Sequence, residues 1–369
     1  MSARYIDSGN LKLLEQSLNE FQKDEAVKSV IFLMAAKDAY SKKDIDPLLQ
    51  NFSKPTIGGI FPELISNSTR KDTGVLLFPL DFELHTQLFD LNDNTDDLVQ
   101  KLESSQKKSL EPSSTLFVFI DALSINKELF IEVLFNFFGL NPDYIGGGAG
   151  SLEFKPMNCI ISNKGMVSNA AIIGWAHKKL AVGVAHGWEP VSAPLKVTKA
   201  NRNELISINW KPAFEAYKEI VEPHSGMYFK NDNFFDIAKS YPLGIAKIDA
   251  EMVVRDPFAV KENALILVDK ISEGEYVEVL NGNMNSLLDG ASKAREIAFS
   301  KLEKNMNQNC VFCIDCISRV LYMQEDFNKE LQAISKGSNV NGILSIGEIA
   351  NSGESFLEIY NKTIVIALW

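Results

Sequence analysis

One pattern recurs three times along the chain: an apolar strand runs into a helix-forming stretch, then a glycine-bearing segment, then another apolar strand. In the first copy Val30-Ile31-Phe32-Leu33-Met34 precedes Ile45, Leu48 and Leu49 at helical spacing, then Gly58-Gly59, then Gly74-Val75-Leu76-Leu77-Phe78. In the second, Leu116-Phe117-Val118-Phe119-Ile120 leads through Leu129, Val133, Leu134 and Phe137 to Gly146-Gly147-Gly148, with further strands expected near 157–162 and 169–175. The third starts at Val311-Phe312-Cys313-Ile314, passes Val320, Leu321, Phe327 and Leu331, reaches Gly342 and Gly347, and ends in Thr363-Ile364-Val365-Ile366-Ala367-Leu368. Uneven spacing between the copies excludes a solenoid. The leading strands are continuous apolar runs, the pattern expected where both faces of a sheet are covered by helices. The expected fold is therefore of the α/β class (mixed α+β): layered sheets covered by helices, in two domains.

Between the second and third copies, Leu195 and Val197, then Leu205, Ile206 and Ile208, predict antiparallel strands, followed by helices at 211–221 and 232–240. A second strand group covers 244–255, 264–268 and 276–280. A long helix follows, with Met284, Leu287, Leu288, Ala291, Ala294, Ile297, Ala298 and Leu302 on one face. Leu11, Leu14, Leu18 and Phe21 predict a docked helix within 1–26, ahead of a first domain at 27–210 and a second at 211–369.

A chain of 369 residues, 46% hydrophobic and 23% charged, hides enough surface to hold a core without disulfides or metals. Cys310, Cys313 and Cys316 fall in an apolar strand and lack a fourth metal ligand unless the remote Cys159 supplies one, so they read as core. The net charge of -11, with no cluster of Lys and Arg among aromatics, argues against nucleic acid and anionic membranes as partners. No apolar signal segment opens the chain, and every apolar run is interrupted before the roughly 20 residues a span needs. A cytoplasmic location is expected.

Several groups of residues carry possible chemistry. Gly146-Gly147-Gly148-Ala149-Gly150 reads either as a ligand-lining turn, with Gly147 and Gly148 presenting backbone N–H groups, or as a structural one. His186-Gly187-Trp188-Glu189-Pro190 joins an imidazole and a large aromatic face to a flexible turn. It offers ligand contacts through His186 and Trp188, or a hydrogen-bonded structural corner. Arg255-Asp256-Pro257 is either a binding group or an internal ion pair. Arg319 and Glu348 fall near strand ends of the third copy, where they would hold the carboxylate and ammonium of an amino acid in one pocket, or pair with each other. No GxSxG, HExxH or CxxCH is present among residues that include only four histidines, His85, His177, His186 and His224, so no hydrolase or c-type haem is signalled and no enzymatic role is expected. The remaining enzymatic alternative pairs Cys316 or His186 with Asp121 or Asp315.

In order, Gly146-Gly147-Gly148-Ala149-Gly150, His186-Gly187-Trp188-Glu189-Pro190, Pro194-Leu195-Lys196-Val197-Thr198-Lys199-Ala200, Tyr241-Pro242-Leu243-Gly244, Val254-Arg255-Asp256-Pro257, Cys316-Ile317-Ser318-Arg319, Gly347-Glu348-Ile349 and Asn361-Lys362-Thr363 resemble the FIST domain, across roughly residues 27 to 369. The segment Ile57 to Leu64 is looser than the family form. The resemblance implies a sensory module of signal transduction that binds a small ligand, an amino acid or related metabolite, with Gly147, Gly148, His186, Trp188, Arg255, Arg319 and Glu348 as ligand-binding candidates. With the last family strand ending at Trp369, the signal is expected to pass to a separate partner, and a homodimer stays open. The alternative the family offers is a haem-carrying nitric oxide sensor acting on a histidine kinase or a cyclic-di-GMP enzyme (diguanylate cyclase or phosphodiesterase). His85, His177, His186 and His224 would be the possible axial ligands.

Overall fold

Each recurring block folds into a strand-helix-strand unit with a parallel strand pair, and each pair lies at the centre of a six-stranded sheet. The computed structural model describes residues 2–105, 114–230, 232–247, 251–302, 310–351 and 356–369. The first unit runs β1 (Arg4–Ile6), α1 (Leu11–Lys23), β2 (Ser29–Ala35), α2 (Lys42–Asn51), β3 (Thr56–Phe61), β4 (Glu63–Ser66), β5 (Thr69–Lys71) and β6 (Val75–Leu80). The second repeats that order as β7 (His85–Asp90), α3 (Thr95–Ser105), β8 (Thr115–Asp121), α4 (Lys127–Phe138), β9 (Asp143–Ala149), β10 (Ile160–Ser162), β11 (Gly165–Val167) and β12 (Ala170–Ala176).

The third unit begins with β13 (Ala181–Ala185) and is then interrupted by an insert. The insert holds β14 (Glu189–Pro190), β15 (Leu195–Asn201), β16 (Glu204–Ile208), β17 (Lys211–Pro212), α5 (Ala213–Ser225), α6 (Phe234–Ala238), β18 (Leu243–Ile245), β19 (Val253–Arg255), β20 (Pro257–Lys261), β21 (Ala264–Leu267) and β22 (Tyr276–Asn281). Its strands form one nine-stranded sheet. The unit resumes with α7 (Met284–Ser300), β23 (Cys310–Cys316), α8 (Ile317–Met323), α9 (Phe327–Ser335), β24 (Asn339–Ser345), β25 (Glu348–Asn351), β26 (Leu357–Tyr360) and β27 (Ile364–Leu368).

The three six-stranded sheets share one plan. Their orders are β1-β6-β2-β3-β10-β11, β7-β12-β8-β9-β25-β26 and β13-β27-β23-β24-β4-β5. In each, the last two strands are a hairpin borrowed from another unit. Hairpin β10–β11 of the second unit completes the first sheet, β25–β26 of the third completes the second, and β4–β5 of the first completes the third. This cyclic exchange locks the units together.

Burial on both faces explains the continuous apolar strands. Helices cover one face of each sheet: α1 and α2 the first, α3 and α4 the second, α7 and α9 the third. The second face is covered by the other sheets rather than by more helices. Phe61 meets Phe119 with ring centroids 5.6 Å apart, Phe78 meets Phe312 at 5.5 Å, and Ile314 reaches Gly147. Helix α1 docks through Leu14, Leu18 and Phe21, and Asn10 caps it by accepting from the Leu13 N–H. Gly58, Gly146 and Gly342 occupy the same place in the three units, opposite Phe32, Val118 and Cys313 of the neighbouring parallel strand. A Cβ there would fall 1.8, 1.7 and 1.8 Å from that neighbour's carbonyl oxygen. Among the described residues, no helix is long and apolar enough to cross a membrane.

Candidate functional site

The turn before β27, Asn361-Lys362-Thr363, gathers most of the polar side chains singled out in the sequence. Lys362 has a left-handed backbone, φ 51°. Its carbonyl accepts from Trp188 Nε1 at 3.1 Å and from Arg319 Nη1 at 3.2 Å. Its ammonium donates to the Lys239 carbonyl at 3.0 Å, pairs with Asp256 at 3.2 Å and lies 5.1 Å from the centre of a Trp188 ring. Asn361 Nδ2 donates to Asp269 at 2.5 Å, and the Thr363 N–H donates to Glu348 at 3.3 Å. Three residues thus bind the insert, the third unit and the exchanged hairpin to one another.

Arg319, at the start of α8, is fully buried and its guanidinium is filled from within the protein. Nε and Nη2 each lie 2.8 Å from Glu330, and Nε is 3.3 Å from Asp315. Nη1 also donates to the His186 carbonyl at 2.6 Å, and Nη2 to the Leu287 carbonyl at 3.1 Å. Glu348 is equally buried; it accepts from Ser345 Oγ at 2.8 Å and lies opposite Gly147 in the β25–β9 register. Arg319 and Glu348 form no hydrogen bond or ion pair with each other, although both lie beside Asp315. Burial pushes the Glu348 carboxyl up to about 8, against hydrogen bonds from Ser345, Thr363 and Cys316. Burial likewise raises Asp315, with Glu330 and Glu348 adding and Arg319 opposing.

The glycine run lies inside strand β9 and not on a turn. Gly147 packs against Ser345 and Ile314, and a Cβ on Gly148 would fall 2.0 Å from the Ile346 carbonyl oxygen. Both glycines lie at the seam where β25 joins the second sheet: Gly148 donates to the Gly347 carbonyl and accepts from the Ile346 N–H, and Gly147 stands opposite Glu348.

His186 and Trp188 are buried at the first linker into the insert. His186 Nδ1 accepts from the Trp188 N–H at 2.9 Å, and Nε2 lies 3.5 Å from Glu251. Burial lowers the imidazole pKa to about 4, with Arg319 and Lys293 adding and Glu251 opposing, so the neutral ring carries its proton on Nε2. An open cleft of about 610 Å³ beside this linker is lined by Trp188, Glu251, Ser286, Asp289 and Lys293.

Arg255, at the end of β19, stands apart from Arg319 in one respect. Its Nε donates to the Lys270 carbonyl at 2.8 Å, and Nη1 donates to the carbonyls of Val254 and Ile359 at 3.2 and 2.9 Å. Nη2 has no hydrogen-bond partner among the described residues, and the side chain lines a cleft of about 500 Å³. The walls come from α4 (Glu128, Ile131, Glu132, Phe135), from the insert, and from Phe356 to Ile359 at the exchanged hairpin. Asp269 lies in the same wall. Burial would raise its carboxyl, but Lys127 at 2.5 Å and the neighbouring Arg255 outweigh burial and hold it below the usual carboxylate range.

Of the seven candidates, Arg319, Glu348, His186 and Trp188 join the buried network, Gly147 and Gly148 back it, and Arg255 alone reaches the 500 Å³ cleft. Lys362, Asp269, Lys127 and Glu330 complete the network; sequence reasoning singled out none of them as a site residue. The only signal was the motif containing Lys362, because Lys and Glu elsewhere read as solvated surface. None of the four histidines lines the 500 Å³ or the 610 Å³ cleft. His85 and His177 sit together near a sheet edge, ring centres 6.1 Å apart, and His224 Nδ1 is 3.0 Å from the Tyr241 hydroxyl. Cys159, Cys313 and Cys316 are buried free thiols, and burial pushes the Cys316 thiol far above its ordinary range. The Cys310 side chain lies outside the described residues. Among the described residues, no group of three or more His, Cys, Asp or Glu side chains could hold a metal ion.

Residues 29–211 match the FIST N domain, and residues 213–351 match the FIST C domain. An uncharacterized protein of Methanocaldococcus jannaschii is 25% identical over 145 residues, which are 36% of this chain and 28% of that relative.

Proposed function

Because the chain belongs to the FIST family, whose domains are associated with sensory signal transduction, we propose that it is a cytoplasmic small-molecule sensor whose ligand occupies the cleft floored by Arg255. The observation that carries this reading is an arginine buried to all but 8% of its surface, its guanidinium anchored by two of its three nitrogens, with the third unpartnered and the side chain lining the cleft. Such a group holds a carboxylate in fixed orientation. Ile131, Phe135 and Phe356 supply apolar wall, and the carboxylates around them suit an ammonium. An amino acid or a related metabolite meets all three requirements.

Signalling follows from which elements form the walls. The insert, α4 of the second unit and the exchanged hairpin meet at this cleft, so a ligand touching all three favours arrangements in which the insert is closed onto the units. A separate signalling protein, such as a histidine kinase or a cyclic-di-GMP enzyme, would read the difference. The role is one of binding, without catalysis.

The test is thermal melting of the purified protein against a panel of amino acids and related small carboxylates and amines. At least one is expected to raise the Tm in wild type and to lose that effect in Arg255→Ala. Arg255→Lys, which keeps the charge and loses the forked geometry, is expected to retain part of it. A ligand-induced shift that survives both variants unchanged places the ligand elsewhere.

A further inference from the structure

The clefts, the buried charges and the exposed aromatics differ in what they say about a ligand, and the charge pattern of the Arg255 cleft says most. Resting on the reading that this cleft is the sensory site, we propose that its ligand is a diamino monocarboxylate, an amino acid with a cationic side chain. Its lining carries three cations, Arg255, Lys247 and Lys270, against five carboxylates, Glu128, Glu132, Asp269, Glu275 and Glu358.

Internal pairing cancels most of these charges. Lys247 pairs with Glu358 at 2.5 Å, Lys270 with Glu132 at 3.7 Å, and Asp269 with Lys127 at 2.5 Å. Arg255 makes no ion pair among the described residues, and neither do Glu128 and Glu275. Glu275 does accept from the Ser272 N–H at 2.9 Å, which fixes its side chain in the insert wall, while Glu128 stands on the first turn of α4 in the opposite wall. What remains without a direct ion pair is one guanidinium and two carboxylates, Arg255 acting on Asp269 and Glu128 on Lys127 only at longer range. The complementary ligand carries one carboxylate and two ammonium or guanidinium groups. A neutral amino acid leaves one carboxylate without a partner, and an acidic one places like charges together. A cleft of about 500 Å³ accommodates a ligand of that size with room for bridging water.

The experiment is isothermal titration of the full chain with L-lysine, with L-norleucine, which keeps the chain length but lacks the side-chain ammonium, and with cadaverine, which lacks the carboxylate. L-Lysine is expected to bind roughly tenfold or more tightly than either, since each lost charge-assisted contact weakens binding by about that factor. In the Glu128→Gln, Glu275→Gln double variant, with its melting temperature checked, the preference for L-lysine over L-norleucine is expected to collapse. Equal, Arg255-dependent affinity for L-lysine and L-norleucine would overturn the cationic requirement while leaving the cleft as the site. Tight cadaverine binding that ignores Arg255→Lys would overturn the carboxylate half. No binding of any of the three would overturn the inference, and the response to the wider panel of amino acids, carboxylates and amines then decides the cleft reading separately.

Discussion

Glu348 and His186 are buried within one network, yet their protonation pulls stability in opposite directions. Glu348 holds its proton up to about pH 8 when folded and releases it near 4.5 when unfolded, so the native state binds more protons between those values. Stability from this group is fully present below about pH 4.5 and is lost as pH rises toward 8, at up to about 1.4 kcal/mol per pH unit. Glu348→Gln keeps the shape without the charge. It is expected to melt close to wild type at pH 5 and above wild type at pH 8. His186 works the other way: the folded imidazole takes its proton only near pH 4, against 6.5 when free, so stability is present above 6.5 and falls as pH drops toward 4. Chemical denaturation of His186→Gln between pH 4 and 7 is expected to show a flatter acid limb than wild type. An unchanged limb would mean that the ring is not held neutral. That Arg319 and Glu348 fall near strand ends of the third unit was legible in the sequence, but they neither pair with each other nor line the 500 Å³ cleft. Their internal partners were not legible, because nothing local marks Glu330, eleven residues away, as the carboxylate that fills the guanidinium.

At the level of elements, the three strand-helix-strand units were legible because burial on both faces writes itself into continuous apolar runs. The hairpin exchange was not. Glu63–Ser66 pairs with a strand more than 270 residues away, and the local pattern of a short apolar strand is the same whichever sheet receives it. The glycine run is ambiguous for a related reason: in sequence a ligand-lining turn and a structural one look alike, and in β9 the glycines serve close approach to a neighbouring backbone. This gives a sharp expectation. Gly146→Ala sets a methyl group 1.7 Å from the Val118 carbonyl oxygen, in the middle of a parallel pair with both faces covered. The strands cannot part without opening the core, so a loss of at least about 3 kcal/mol is expected. Gly139→Ala is the matched control. It removes the same conformational freedom at a helix end where no atom lies within 4 Å, so steric crowding is absent and only the strain of its positive φ remains. Urea titration of the two variants separates crowding from backbone strain.

For the whole molecule, the question is whether the insert is an appendage or a structural part of the three-unit body. Its two linkers run side by side, with Glu189 and Pro190 paired to Asn281 and Leu280, so residues 191–279 can be replaced by a two-residue Asn-Gly hairpin turn with little backbone rearrangement. On connectivity alone that deletion should fold. On charge the insert does more. It supplies Asp269 to Lys127 and Asp256 to Lys362, and those lysines belong to the body, buried to 11% and 1% side-chain exposure while the insert is in place. Removing one partner of a buried pair costs about 3–5 kcal/mol, and two such losses approach the entire stability of a typical domain. In the full chain, Asp256→Ala with Asp269→Ala is therefore expected to abolish the cooperative thermal transition. Adding Lys127→Met and Lys362→Met, which replaces each stranded cation by an apolar side chain of similar length, is expected to restore one. If the aspartate double variant melts as cooperatively as wild type, the ion pairs do not fasten the insert, and the cleft at that seam loses the mechanical link through which a bound ligand would move the body.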